Sequence, residues 1–319
     1  MNFEAKTLLA LLAAALLLPF VVRDQYLLHL AIMALFYAVL ASSLNLVVGY
    51  VGEFSLGHTA FLGTGAYTAA LLSVKAGLPM WATIPIAGIV SAVFGYLIGA
   101  ITLRLKGPYF VIVTLSFAEV LRLIANNWVP LTNGPMGIAG IAQGGIEDKR
   151  VFFYIVLGIA VIALYLCYRF VYSNAGRGAV AVRENRFVAQ SIGVNPFGAA
   201  MQAFVLGAFL AGLAGGFYAH YISFVGPEVF QFAFMASMII MVLIGGKGTL
   251  VGPLIGAVIV TLLEEYLREV QGLRLTLFGL IVMAVVLFLP NGLMSLVPSR
   301  REERRVDLVR VRSVKGGAL

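Results

Sequence analysis

A short series of polar residues interrupts one otherwise apolar stretch, residues 109–127. Its members adjoin one another or lie three to four residues apart: Ser116, Glu119, Arg122, Asn126 and Asn127. Side chains at such spacing share one face of a helix. A carboxylate such as Glu119 inside an apolar helix is costly and marks a functional site by default. This face could line the passage of a polar solute, or Glu119 and Arg122 could form an ion pair that only supports packing.

The other residues that could do chemistry form no catalytic or metal-binding pattern. His29, His58 and His220 lack the spacing of metal ligands and have no partner carboxylates. No nucleophile of the serine, cysteine or aspartyl type is paired with a base, which disfavours an intramembrane hydrolase. The single cysteine, Cys167, lies in an apolar run where packing is its expected role. We therefore predict no catalytic residue, no metal ion and no cofactor held by this chain.

The composition fits a membrane rather than water. Of the 319 residues, 61% are hydrophobic and 11% are charged, whereas a soluble domain has roughly 45–50% apolar and about 25% charged residues. A bilayer-spanning helix needs about 20 mostly apolar residues. The sequence predicts an all-α, polytopic helical membrane protein with about ten transmembrane helices, at 7–22, 26–48, 57–74, 81–103, 109–127, 151–172, 199–219, 229–246, 250–267 and 275–290. Two of these, 57–74 and 250–267, are short and contain glycine, so either could be re-entrant.

The orientation follows from lysine and arginine, which are in excess in cytoplasmic loops. Ten spans with both termini in the cytoplasm put three basic segments on that side: Arg104 with Lys106, the run from Arg169 to Arg186, and the tail from Arg300 to Lys315. We predict a transmembrane domain over 1–297 and a basic cytoplasmic tail over 298–319. The tail is expected to lie against lipid headgroups. It lacks interleaved aromatic residues, so we predict no nucleic-acid binding.

One cytoplasmic loop, residues 173–198, is longer than the others. We expect Gly176 and Gly178 to break the preceding helix. A short amphipathic helix is predicted over 179–193, because three apolar residues recur seven and four apart and so share one face: Ala181, Val188 and Ile192.

The end of this loop carries signals for one helix to stop and another to start. Gly193 is expected to end the amphipathic helix, and Asn195 with Pro196 to begin the next one. The amphipathic helix could anchor in lipid, or its apolar ridge could dock into the groove of a partner. Spacing alone does not separate these two roles.

Two glycine-rich stretches lie in the two halves of the chain, and neither matches a nucleotide-binding loop. They contain Gly49, Gly52, Gly57, Gly63 and Gly65, and Gly245, Gly246, Gly248, Gly252 and Gly256. Gly49 and Gly52 match Gly245 and Gly248 in spacing, and Gly57 matches Gly252 after one gap. Helices broken at corresponding places in two halves point to a transport pathway. Three G-x-x-x-G pairs are expected to pack helices closely: Gly95/Gly99, Gly212/Gly216 and Gly252/Gly256.

Six ordered motifs, spread over about residues 26–295, resemble the LivM-type permease, one of the two membrane subunits of ABC importers for branched-chain amino acids. They are SLNLVVGYVGEFSLGHTAFLGTGAYTAALL (43–72), GPYFVIVTLSFAEVLR (107–122), NGPMGIAGI (133–141), GRGAVAVRENRFVAQSIGV (176–194), FLAGLAGGFYAHYISFVGPE (209–228) and GGKGTLVGPLIGA (245–257). The resemblance implies a type II importer fold, similar to that of the vitamin B12 importer permease, in a bacterial or archaeal plasma membrane.

The resemblance also implies that 173–198 is the loop on which ATPase subunits dock. The residues of the family's coupling loop are then Gly176, Arg177, Arg183, Glu184, Asn185, Arg186, Ala189, Ser191 and Gly193. Gly178 and Gln190 depart from the family pattern, which often has alanine and an acidic residue there. We expect these departures to tune the contact.

The implied partners are a sister permease of the LivH type, two ATP-binding cassette subunits that bind the ATP, an extracytoplasmic solute-binding protein and the lipid membrane. The permease domain would then rock between inward- and outward-facing packings, with Ser116, Glu119, Asn126 and Asn127 offering polar contacts to an amino acid. Alternatives remain open: import of urea, amides or aromatic acids by the same architecture, an ion-coupled secondary transporter, or a passive channel for a small polar solute.

Overall fold

The computed structural model describes residues 12–20, 22, 24–146, 148–268, 279–280, 283, 287–288 and 292–296. Its helices are α1 (12–20), α2 (Gln25–Asn45), α3 (His58–Ala76), α4 (Met80–Thr102), α5 (Pro108–Asn127), α6 (Val129–Thr132), α7 (Lys149–Val171), α8 (Asn174–Glu184), α9 (Arg186–Ser191), α10 (Pro196–Ile222), α11 (Phe232–Gly245) and α12 (Gly252–Arg268). A π-helical segment, Leu46–Val51, extends α2. Within the described residues, three 3-10 turns lie at Gly134–Met136, Pro227–Phe230 and Leu293–Leu296, and there are two short strands, β1 (Ile138–Ala139) and β2 (Phe224–Val225).

The predicted all-α membrane architecture is confirmed. Every predicted span that falls wholly on described residues coincides with a helix, and five described helices are long and apolar enough to cross a bilayer: α2 with its π-helical extension, α4, α5, α7 and α10. The two short predicted spans form continuous helices, α3 and α12, of 19 and 17 residues. At 1.5 Å per residue these reach about 28 Å and about 25 Å. The predicted spans 7–22 and 275–290 lie partly outside the described residues, and the tail at 298–319 lies wholly outside them.

α10 lies at the centre of the bundle, packed against α3 and α4. Small residues allow the close approach, because a Cβ at Gly65 of α3 would lie 2.4 Å from the Gly212 carbonyl oxygen. A Cβ at Gly95 of α4 would lie 2.5 Å from the Ala208 Cβ. Contacts of this kind let van der Waals packing hold helices together in lipid. The predicted close packing is confirmed for the pairs Gly95/Gly99 and Gly212/Gly216.

The orientation predicted above puts the segments 128–150 and 220–228 on the side of the membrane opposite the cytoplasm. In the structure these two segments are joined. β1 and β2 pair in antiparallel fashion, with Ile138 opposite Val225. The buried His220 ring holds the same place together, since its Nε2 lies 2.6 Å from Thr83 Oγ1 and its Nδ1 lies 2.7 Å from the Ala142 carbonyl oxygen. The two outer segments therefore form one surface rather than two separate loops.

Candidate coupling and translocation sites

The long loop between α7 and α10 folds as two short helices that meet at a bend. Ser173 caps α8, and Asn185 caps α9. Asn185 is extended, with φ −160° and ψ 110°, and its side chain accepts hydrogen bonds from two backbone N–H groups of α9 at 3.0 and 3.1 Å. A capping asparagine of this kind starts a new helix. The prediction of one continuous helix over 179–193 is therefore wrong, because Asn185 ends α8 and begins α9.

The break before this loop also falls earlier than predicted. α7 ends at Val171, and Gly176 and Gly178 lie inside α8 rather than between two helices. Close packing explains the glycine at 176, because a Cβ there would lie 2.2 Å from the Phe170 carbonyl oxygen. Gly176 therefore allows α8 to fold back on the end of α7, and neither glycine interrupts α8.

The two caps predicted at the far end of the loop are confirmed. Gly193 follows α9 with φ +85°, and the Asn195 side chain caps α10. The predicted shared face is wrong, since Ala181 lies on α8 while Val188 and Ile192 lie on α9. The bend at Asn185 separates the first from the other two.

α9 and Ile192, the residue that directly follows it, present an apolar surface, the α9 patch, formed by Phe187, Val188 and Ile192. These side chains are 75%, 57% and 71% exposed. Ala189 of the same helix is buried in the protein. Lys106, from the turn between α4 and α5, places its Nζ 5.7 Å from the centre of the Phe187 ring. The patch is thus held in a fixed position with a positive charge beside it.

Two of the polar residues predicted for this loop form hydrogen bonds within their own helices. Arg177 donates to a side chain of its own helix at 2.5 Å, and Ser191 donates to carbonyl oxygens of α9.

In the loop before α3, burial raises the pKa of the Glu53 carboxyl above its ordinary value, although the positive charges of Arg186 and Lys106 oppose that rise.

The two glycine-rich stretches turn at matching points and touch each other. Gly52 ends the π-helical segment with φ +83°, and Gly248 lies between α11 and α12 with φ +74°. Asn45, only 2% exposed, joins them: its Nδ2 donates to the Thr249 carbonyl oxygen and its Oδ1 accepts from the Gly248 N–H, both at 2.8 Å. A Cβ at Gly49 would lie 2.4 Å from the Gly248 nitrogen. We call these five residues the glycine junction.

Arg183 connects the long loop to the glycine junction. Its Nη1 donates to the Gly49 carbonyl oxygen at 2.7 Å, while its Nε and Nη2 donate to Glu184 at 3.2 and 2.7 Å. A Cβ at Gly52 would lie 2.6 Å from Arg183 Cγ, and one at Gly248 would lie 2.7 Å from Nη1. α8 and both glycine turns therefore meet at one side chain.

The remaining predicted glycines serve close packing. Gly57 caps α3, and a Cβ there would lie 2.4 Å from a carbonyl oxygen of α5. Gly245 ends α11 and Gly252 begins α12, and a Cβ at Gly245 would lie 1.9 Å from the Gly252 carbonyl oxygen. Gly63 does not break a helix, because α3 is continuous through it; it leaves room for the ring of Phe230.

The polar face predicted on α5 lies on its exposed side. Three hydrogen bonds join Arg122 to the Glu119 carboxylate, the shortest at 2.6 Å. Their side chains are 30% and 50% exposed. Ser116 Oγ and Asn127 Nδ2 each donate to a carbonyl oxygen of their own helix at 2.9 Å. The ion pair is therefore present, and it lies where a second surface or a solute could reach it.

α5 is attached to the rest of the described protein along one narrow stripe. Its buried residues, Phe110, Thr114, Ala118 and Ala125, are spaced four, four and seven apart. At 100° per residue they lie opposite the face that carries Glu119. The polar face is thus directed away from the bundle that this chain forms alone.

Two residues at these sites have no place in the sequence-based prediction. Asn45 is one, although an asparagine four residues before Gly49 in an apolar span is a usable signal. The other is Glu264 of α12, which accepts a hydrogen bond from Ser237 Oγ of α11 at 2.6 Å. The signal that could have found Glu264 was its position inside the predicted span 250–267.

The histidines take part in ordinary hydrogen bonds. His58 is fully buried with its Nε2 2.7 Å from Ser43 Oγ, and His29 Nδ1 lies 2.5 Å from the Tyr221 hydroxyl. Within the described ranges, no group of three or more His, Cys, Asp or Glu side chains is placed to hold a metal ion.

Several known proteins have sequences similar to this one. The chain is 33% identical to the high-affinity branched-chain amino acid transport system permease protein LivM of Salmonella typhimurium, over 90% of this chain and 74% of that protein. It is 24% identical to the permease protein LivH of the corresponding Escherichia coli system, over 81% and 91%, and 26% identical to the ribose import permease protein RbsC of Haemophilus influenzae, over 72% and 73%. No solved structure gives a significant match.

A family model described as the permease component of the branched-chain amino acid transport system matches residues 26–290. That range includes both glycine stretches, the long loop and α5. The chain therefore belongs to the permease-component family of branched-chain amino acid transport systems.

Proposed function

We propose that this membrane protein is a permease subunit of an ATP-driven ABC importer and moves branched-chain amino acids inward. The observation that carries the substrate class is the identity of 33%, over 90% of the chain, to a LivM permease. The sequence has no nucleotide-binding fingerprint, so ATP is assigned to two separate ATP-binding cassette subunits. Both termini are assigned to the cytoplasm, in accord with the excess of lysine and arginine in the loops on that side.

The ATPase subunits would dock on the α9 patch. Support comes from its geometry: two large apolar side chains on a helix of six residues and a third on the residue that follows it are exposed, while Ala189 of the same helix is buried. Such clustered anchors on a rigid element suit insertion into a groove. A helix this short offers little area for anchoring in lipid, so docking is favoured over membrane attachment.

The solute would pass along the polar face of α5, between this chain and a sister permease. The support is the directed exposure of Glu119 and of its neighbours Ser116, Asn126 and Asn127, opposite the stripe by which α5 is attached. An amino-acid zwitterion carries an ammonium and a carboxylate, which the Glu119–Arg122 pair could receive by exchanging partners. Chains of 24% identity to this one, the LivH permeases, are the kind of partner proposed.

A solute-binding protein would deliver the amino acid to the outer surface formed by 128–150 and 220–228. The support is the β1–β2 pairing, which joins these segments into one surface. That surface lies next to the end of α5, so delivery there would place the solute at the start of the polar face.

The test is uptake by the complete complex, with sister permease, ATPase subunits and binding protein, reconstituted in proteoliposomes with ATP. We expect accumulation of labelled leucine, isoleucine and valine. Urea, short amides and aromatic acids are the matched alternatives. Uptake of one of those without uptake of leucine would keep the importer and overturn the substrate. Uptake that persists when the ATPase subunits are left out would overturn the importer in favour of an ion-coupled transporter or a channel.

A further inference from the structure

The two glycine turns of the predicted repeat are far apart in sequence, and the buried side chain of Asn45 connects them by hydrogen bonds. Asn45 bonds to the backbone at Gly248 and at Thr249, more than 200 residues away. Both of its polar atoms are used, and each bond partner is a main-chain group. The end of α2, where the first glycine turn begins, is therefore hydrogen-bonded to the turn that joins α11 to α12.

The first of these turns is also a weak point in its helix. α2 changes from α-helical to π-helical at Leu46, and the π-helical segment ends at Gly52. Short π-helical insertions recur at functional sites, since they have alternative hydrogen-bonding registers. The carbonyl oxygen of Gly49, inside this segment, accepts from Arg183. The loop thus holds the segment through a main-chain atom that could otherwise pair within a regular helix.

The contact leaves little free space for movement. A Cβ at Gly49 would meet Asn45 Oδ1 and the Gly248 nitrogen, and a Cβ at Gly52 or Gly248 would meet the side chain of Arg183. Closely packed elements exchange one packing for another rather than bend smoothly. A displacement of α8 must therefore either move both glycine turns or break the bond from Arg183.

We infer that Arg183 and Asn45 form a relay that carries displacement of the α8–α9 loop to both glycine turns at once. The inference rests on the proposed function, in which ATPase subunits move that loop. Arg183 supplies the first link, to the π-helical segment, and Asn45 the second, to the segment between α11 and α12. Both are positioning residues: neither is assigned a contact with the solute or with ATP.

The test uses the complete importer and measures solute imported per ATP hydrolysed. Arg183→Gln removes the charge-assisted bond, and Asn45→Ala removes the bridge between the turns. For each variant we expect intact assembly and continued ATP hydrolysis, with import per ATP lowered about tenfold, because Arg183→Gln removes one hydrogen bond from a charged group and Asn45→Ala removes two neutral ones. Arg183→Lys is expected to recover part of the coupling. Arg169→Gln, a change of the same type at an exposed arginine in the last turn of α7, serves as the matched control and is expected to leave the ratio unchanged.

A second readout separates relay from docking and from general destabilisation. In the unaltered importer, addition of nucleotide is expected to change amide hydrogen exchange in 46–52 and 246–251. In Arg183→Gln, the change at α8 should persist and that in both turns should disappear. Loss of the ATPase subunits from Arg183→Gln would show that Arg183 serves docking and would overturn the relay, as would unchanged import per ATP in both variants. Absence of ATP-driven import in the unaltered complex would instead overturn the proposed function.

Discussion

α10 and α5 are both apolar helices long enough to cross a bilayer, yet the protein uses them in opposite ways. α10 is surrounded, with its glycines pressed against the backbones of α3 and α4. α5 is attached by four buried residues along one stripe and presents an ion pair on its free side. The close-packed helix therefore belongs to the body of the protein, which moves as a unit in the proposed mechanism. The sparsely attached helix leaves one face available for contacts outside this chain.

The largest expected effect comes from adding one methyl group inside the α10 packing. In Gly215→Ala, the new Cβ would lie 2.2 Å from the Leu62 carbonyl oxygen, a backbone atom that cannot move alone. Overpacking of this kind costs about 1–3 kcal/mol or more. We expect a lower melting temperature in detergent and poor yield of the membrane-inserted protein.

The matched control is Gly158→Ala in α7, where no atom lies within 4 Å of the added Cβ. Alanine favours helix over glycine by about 1 kcal/mol in aqueous hosts, so this variant should be as stable as the unaltered protein or more so. Equal melting temperatures for the two variants would show that α10 is not closely packed.

On α5 the same comparison predicts loss of transport without loss of stability. Glu119→Gln and Asn126→Ala change residues outside the buried stripe by which α5 is attached to the bundle. We expect uptake into proteoliposomes to fall about tenfold, as for loss of a hydrogen bond to a charged group, at an unchanged melting temperature. Val120→Ala, at an exposed apolar neighbour on the same helix, is the control. Normal uptake by both polar variants would leave the ion pair with a packing role only.

A third prediction concerns the α9 patch. Like the free face of α5, it is exposed and belongs to a helix that few buried residues attach to the rest of the protein. Phe187→Ala removes a side chain that is 75% exposed and touches little of its own chain. We expect unchanged thermal stability and ATPase binding weakened about tenfold, the scale for an aromatic anchor of an interface. Titration of the purified ATPase subunit onto the permease in detergent measures this. Tyr165→Ala, an exposed aromatic residue of α7, should bind as the unaltered protein does; equal loss in both would remove the patch as the docking site.

The smallest effect is expected for a substitution of Glu53, in the loop before α3. Burial raises its pKa, so folding favours the protonated carboxyl. The resulting contribution to stability is present below the ordinary carboxyl pKa and is lost as the pH rises through the raised value. Glu53→Gln should therefore raise the melting temperature more at pH 8 than at pH 4. A larger gain at pH 4 would contradict the direction of the shift.

The sequence predicted those features that depend on neighbours along the chain. The apolar stretches gave the helices, Gly193 and Asn195 gave the caps at the end of the long loop, and spacing alone put Ser116 and Glu119 on one face. The wrong prediction of one continuous helix over 179–193 also concerned a local feature. An asparagine such as Asn185 can lie inside a helix or cap a new one, and here its side chain bonds to the backbone and forms a cap.

The features that could not be predicted depend on contacts between distant segments. The glycine repeat suggested two related turns, but nothing in it says that they touch or that Asn45 joins them. Likewise, the sequence shows Arg183 only as one arginine among several in the long loop. The fold is needed to place its guanidinium against Gly49. Spacing reports which residues share an element; it does not report which elements meet.

We propose that ATP hydrolysis in partner subunits, acting on the α8–α9 loop, drives the solute past α5. The direct measurement is labelled leucine uptake by proteoliposomes that contain the complete importer and its binding protein, with ATP supplied to the ATPase subunits or withheld, and with ion gradients collapsed by ionophores. We expect accumulation only when ATP is supplied, and no effect of the ionophores. Accumulation without ATP that the ionophores abolish would show instead that an ion gradient drives transport.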